Sequence, residues 1–123
     1  MSKRQITIAI DAMGGEDNPY KNLKGVELFL NQQPDVNIKL FGARSSILET
    51  ISNNNIILND YEIFDCVENV SDEDSANTIL RSRKNSSIYK GLKYVSENLD
   101  AGFVSAGNTA ALMILSRLIL GMI

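Results

Sequence analysis

The chain has 123 residues, 12 basic and 15 acidic side chains, a net charge of −3 and no histidine. That length suits one domain with a modest core and leaves no room for a second. The acidic balance argues against general nucleic-acid binding, and the missing imidazole excludes Ser-His-Asp and Cys-His catalysis and histidine metal sites.

Met1 to Gln5 carries basic residues, but the apolar run behind it is short and meets Asp11 directly, so it does not read as an export signal. Ile6 to Ile10 is nearly continuous in apolar character, which predicts a strand buried on both faces. The turn Asp11-Ala12-Met13-Gly14-Gly15 follows. Pro19 then opens a predicted helix to about Gln32, with Leu23, Val26, Phe29 and Leu30 on one stripe. Val36 to Phe41 reads as a second strand, Arg44 to Ser52 as a helix ended by Asn53-Asn54-Asn55, and Tyr61 to Val67 as a third strand. The single cysteine, Cys66, reads as a small core residue at that strand's end, in a reducing compartment. An acidic loop from Glu68 to Asp74 leads to a helical or broken segment, Ser75 to Arg83, and a firmer helix from Ser86 to about Asn98.

Ala101 to Val104 returns to strand, and a last helix starts near Gly107. Leu112, Met113, Ile114, Leu115, Leu118, Ile119 and Leu120 leave that helix little polar face, so it requires burial on more than one side. The expectation is a polypeptide that forms the front part of something larger or depends on a partner. The stretch from Ala110 to Ile123 is too short, and is interrupted by Ser116 and Arg117, for the ~20 apolar residues of a membrane span.

Strands alternating with helices predict a mainly parallel, doubly wound α/β sheet with helices on both faces, a single segment over residues 1–123. In such sheets the turns after strands gather at the carboxyl edge, where ligands bind. Two turns stand out. The first holds Asp11, Gly14 and Gly15; the second is Ser105-Ala106-Gly107-Asn108-Thr109, running from a strand into an apolar helix. Helix N-terminal amides favour an anion, Gly107 permits close approach, and Ser105, Asn108 and Thr109 add donors. Each turn alone could be only an N-cap or a Gly-Gly turn.

A third cluster, Arg81-Ser82-Arg83-Lys84-Asn85-Ser86-Ser87, is either a solvated turn with Ser86 or Ser87 capping a helix, or a supply of cations and hydroxyls for phosphate or an acidic partner. Asp11, Glu16 and Asp17 could hold magnesium, but hydrogen-bonding and capping roles are preferred and no metal or cofactor is expected. Neither a P-loop nor a dinucleotide fingerprint is present.

Taken in order and spacing, Asp11 to Gly15, Arg81 to Ser87 and Ser105 to Thr109 resemble the N-terminal part of the bacterial phosphate acyltransferases of phospholipid synthesis, from about Ile6 to Leu120. The chain departs from the usual pattern at Glu16, Asn85 and Ala110, where that family has Asp, Asp and Gly. The resemblance implies a Rossmann-like fold related to isocitrate and isopropylmalate dehydrogenases and phosphotransacetylases, here incomplete. It implies a homodimer, cytoplasmic or peripheral at the membrane, that converts acyl-acyl carrier protein and inorganic phosphate into acyl phosphate for a membrane glycerol-3-phosphate acyltransferase. The implied phosphate and substrate residues are Asp11, Gly14, Gly15, Arg81, Arg83, Lys84, Ser86, Ser87, Ser105, Gly107, Asn108 and Thr109, with catalytic residues partly beyond Ile123. The alternative is a noncatalytic fragment that binds phosphate or carrier protein.

Overall fold

The computed structural model describes residues 6–15, 18–68, 70, 73–107 and 109–121, the side chain of Thr109 excepted. Its elements alternate as the hydrophobic pattern predicts: β1 (Thr7–Asp11), α1 (Tyr20–Gln32), β2 (Asn37–Gly42), α2 (Arg44–Asn53), β3 (Tyr61–Asp65), α3 (Ala76–Ser82), α4 (Ser87–Glu97), β4 (Ala101–Val104) and α5 (Thr109–Leu120). The strands form one parallel sheet in the order β3-β2-β1-β4. The arrangement is α/β and Rossmann-like.

Strand side chains alternate between faces, and this divides the core. On one face Ile10, Ile38, Leu40 and Ile63 pack with Leu23, Val26 and Leu30 of α1 and Ile47 of α2. On the other, Ala9, Phe41 and Cys66 meet Phe64, Tyr94 and Phe103, and a neighbouring cluster joins Ile79 of α3, Ile88 and Leu92 of α4, and Ala111 and Leu115 of α5. Phe41 and Phe64 stack with centroids 4.7 Å apart. Gly91 lets α4 lie close to β4, because a Cβ there would sit 2.1 Å from the Phe103 ring.

Local chemistry sets the element ends. Ser75 and Ser86 cap α3 and α4, their Oγ atoms accepting from the amides of Thr78 and Tyr89. No side chain of its own caps α2; instead Asp65 at the end of β3 accepts from the Arg44 amide at 2.9 Å. Asn54 ends α2 by donating to the Thr50 carbonyl, and Asn55 takes the left-handed conformation that Asn tolerates. Two expected ends shift. β3 stops at Asp65 rather than Val67, since Val67 is solvent-exposed and Glu68 bridges instead to Ser86. Phe29, expected on the buried stripe of α1, is 38 % exposed because the side of α1 toward β4 is uncovered.

Candidate functional site

The strand order places β1 between β2 and β4. The chain first runs outward through β2 and β3, then crosses back to lay β4 on the opposite side of β1. That is a topological switch point, where the loops after β1 and β4 meet at the carboxyl edge, the place where ligands of open α/β sheets bind. The two turns singled out in the sequence are those two loops.

Asp11 ties them together. Only 3 % exposed, its Oδ1 accepts hydrogen bonds from the amides of Met13 and Gly14, each at 3.0 Å, and from Ser87 Oγ at 2.5 Å. Its Oδ2 accepts from Ser105 Oγ at 2.7 Å. Two backbone donors and two hydroxyls therefore surround one buried carboxylate, which is the satisfaction a charge needs away from water. Ser105 Oγ in turn accepts from the Gly107 amide at 3.1 Å. The loops after β1 and β4 and the first residue of α4 thus converge on one side chain.

Glycine makes the approach possible. A Cβ on Gly14 would lie 2.7 Å from both the Gly107 amide nitrogen and Asp11 Oδ2, so the two loops touch backbone to backbone. Gly15 has φ +91° and faces Ala106, in a conformation L side chains rarely adopt. Asn22 braces the first loop from the opening turn of α1, its Nδ2 donating to the carbonyls of Gly14 at 2.8 Å and Ala12 at 3.0 Å and to Asn18 Oδ1 at 2.9 Å. Sequence reasoning passed over Asn22. The available signal was a weak helix former in a helix's first turn, where such residues serve backbone groups.

Among the expected site residues, the structure brings together Asp11, Gly14, Gly15, Ser87, Ser105 and Gly107. Ser86 is buried beside them in sequence but works as a cap, donating to the Arg83 carbonyl at 2.6 Å and accepting from the Tyr89 amide. Arg81 and Lys84 lie exposed at the end of α3 and in the following turn. Arg83 approaches Asp74 at 3.8 Å. The magnesium alternative falls partly on Glu16 and Asp17, and the anion reading partly on Asn108 and the Thr109 side chain; these lie outside the described residues. Cys66 is buried, and that burial pushes its thiol up to about 11.

Beside the site, a trough of about 380 Å³ runs along the α1 face of β1 and β4, lined by Ile8, Ile10, Val26, Phe29 and Val104, with Asp11, Ser105 and Ala106 also on its walls. Among the described residues, no helix is long and apolar enough to cross a membrane.

Residues 6–123 match the family described as fatty acid synthesis protein. The chain belongs to that family. It is 41 % identical over 116 residues to a phosphate acyltransferase of Caldicellulosiruptor bescii, covering 94 % of this chain and 35 % of that protein. A phosphate acyltransferase of Neorickettsia sennetsu is 37 % identical over 98 % of the chain and 36 % of its own length, and one of Wolbachia pipientis is 38 % identical over 94 % and 35 %. The chain thus spans about a third of the length of these relatives. The family member described here is an α/β segment whose loops after β1 and β4 are tied together by Asp11.

Proposed function

We infer that this chain supplies the phosphate side of a phosphate acyltransferase, which transfers an acyl group from acyl-acyl carrier protein to inorganic phosphate. The observation that carries this reading is the joining of the β1 and β4 loops through Asp11 at the switch point, in a chain similar to proteins named for that activity.

The reaction suits a site without histidine. A hydrogen phosphate dianion, abundant near neutral pH if its second pKa resembles the ~6 of phosphoesters, attacks the thioester carbonyl carbon. The carbon–sulfur bond breaks, the thiolate leaves on the carrier, and the proton carried by phosphate ends on that thiol. A thiol leaving group with pKa near ~8.5 requires no strong general acid. The protein's contribution is position and oriented donors.

Asp11 acts as the organiser in this reading. Its charge is sheathed by four hydrogen bonds and faces inward, so it holds donors without meeting the anion. The amides of Met13, Gly14 and Gly107 are engaged inside the turns, so the anion rests on the first turn of α5 with Asn108 and Thr109. Arg81, Arg83 and Lys84 balance charge or meet the carrier. The same reading makes the protein a cytoplasmic homodimer, associated at most peripherally with the membrane, whose acyl phosphate feeds a glycerol-3-phosphate acyltransferase.

Acyl phosphate formation from acyl-acyl carrier protein and phosphate, with a full-length relative as control, tests the reading. Asn108→Ala should weaken phosphate use at least ~10-fold with little change in folding. Loss of folding with unaltered phosphate affinity per folded molecule would return the turn to a simple cap. The second reading is a noncatalytic protein that binds carrier protein or phosphate without turnover. Binding without product would establish it.

A further inference from the structure

Asn22 shapes the site more than its place in a helix explains. It is the third residue of α1 and is not among the buried residues of that helix, which are Leu23, Val26 and Leu30. Asparagine is a weaker helix former than alanine, so α1 alone gives no reason for it. Its Nδ2 instead meets three carbonyls of the loop after β1, those of Asp11 at 3.3 Å, Ala12 at 3.0 Å and Gly14 at 2.8 Å. The amides of Met13 and Gly14 go to Asp11 Oδ1. The polar groups of the loop are thus sorted, carbonyls onto Asn22 and amides onto Asp11, and the two side chains together fix where its backbone lies.

That position passes to the loop after β4 with no side chain between. A Cβ on Gly14 would lie 2.7 Å from the Gly107 nitrogen and 3.0 Å from its Cα, and one on Gly107 would lie 3.3 Å from Gly14 Cα. The next pair is as close, since a Cβ on Gly15 would lie 3.2 Å from both Cβ and the carbonyl oxygen of Ala106. Backbone against backbone has no rotamer to absorb a shift, so a displaced Gly14 displaces Gly107. Gly107 donates to Ser105 Oγ at 3.1 Å and stands two residues before Thr109, where α5 begins.

We propose that Asn22 is a positioning residue for the bound anion: it sets the Gly14 backbone and, through Gly107, the place of the first turn of α5. The proposal rests on the reading above in which phosphate lies on that turn. Asn22 acts through the loop and not by donating to phosphate, because its amide hydrogens are taken up by the loop carbonyls and by Asn18 Oδ1.

The test compares Asn22→Asp, Asn22→Ala and Asn22→Ser with the 123-residue chain. Calorimetry at fixed ionic strength gives the dissociation constant for inorganic phosphate, and NMR gives the exchange rate of the Gly107 amide, at a temperature where each variant is folded. Asn22→Asp keeps the shape but loses the donors and sets a carboxylate against carbonyls; phosphate binding should weaken, and Gly107 exchange quicken, at least ~10-fold. Asn22→Ala should do the same, although alanine favours helix and would leave a merely helical position unharmed. Asn22→Ser retains a short donor, should fall between the unaltered chain and Asn22→Ala, and supplies the comparison if the aspartate variant does not fold. Ile63→Val thins the core under β3, away from both loops, and should leave both measurements within ~2-fold. Unaltered phosphate affinity in the Asn22 variants overturns the proposal, as do effects no larger than those of Ile63→Val. So does weakened phosphate binding with unaltered Gly107 exchange, since the coupling would then bypass that contact. A chain that binds no phosphate refutes instead the reading on which the proposal rests, and Gly107 exchange then decides the backbone coupling by itself, so the two failures are distinct.

Discussion

Replacing Asp11 by Asn tests whether one carboxylate holds the two loops. The substitution preserves shape while removing the charge and one of two acceptor oxygens. If the amide oxygen takes the Oδ1 position, the bonds from Met13, Gly14 and Ser87 persist but lose charge assistance. The NH₂ then faces Ser105 Oγ, which already accepts from Gly107 and must turn its own proton elsewhere. Hydrogen bonds to charged groups contribute about 1.5–3 kcal/mol and neutral ones about 0.5–1.5. Four bonds each weakened by about 1 kcal/mol lose about 4 kcal/mol. Relief from burying a charge returns part of that, leaving a net destabilisation of about 2 kcal/mol. With a urea m-value of about 1–3 kcal/mol/M, the unfolding midpoint should fall by roughly 1 M at unchanged slope. Combined with Ser87→Ala, the two substitutions should be non-additive by at least ~0.5 kcal/mol, as expected for partners in one network. A midpoint shifted by less than ~0.2 M, or strict additivity with both Ser87→Ala and Ser105→Ala, would refute the assignment of Asp11 as the tie.

Gly14→Ala should cost about 1–3 kcal/mol, since its methyl would press on backbone of the other loop and on Asp11; an unchanged thermal midpoint would contradict the backbone contact. Cys66 should resist a disulfide reagent at pH 8 by roughly 200-fold relative to a free thiol, because little thiolate exists when burial raises its pKa to about 11. Stoichiometric labelling should appear in denaturant, and fast labelling of folded protein would show the site to be open. Glu27 accepts from the Ile57 amide at 2.6 Å and from Lys24 Nζ at 2.7 Å, and these bonds hold its carboxyl below the ordinary glutamate value. A depressed folded-state pKa contributes stability that is present above the unfolded value of about 4.3 and is lost as pH falls through the folded one. The thermal midpoint difference between the protein and Glu27→Gln should therefore be largest near neutral pH and shrink on acidification; a gap that widens would reverse the sign.

Much of the fold can be read from local pattern. Ile6 to Ile10 and Ala101 to Val104 are strand-like in composition, Pro19 and Asn54 mark helix boundaries, and Ser86 is a cap by residue type. These features depend on neighbours a few residues away, where backbone preference and side-chain periodicity act. Sequence pattern misjudged the end of β3, since whether Val67 pairs depends on Ser86 arriving from a later turn. It also left Phe29 on a buried stripe that tertiary packing only partly covers.

The composition of the two loops was visible in the chain itself: glycines for close approach, small hydroxyls, one acid after the first strand. Their meeting was not. Ser87 and Ser105 reach Asp11 from sequence separations of 76 and 94, while Arg81 and Lys84, equally plausible by residue type, remain in solvent. Asn22 became a brace only because α1 brings its amide under the loop. Residue types decide what a loop can bond, being a matter of donors, acceptors and missing Cβ atoms. Which loops face each other follows from the reversal of strand order about β1, a property of the folded sheet that no local segment contains.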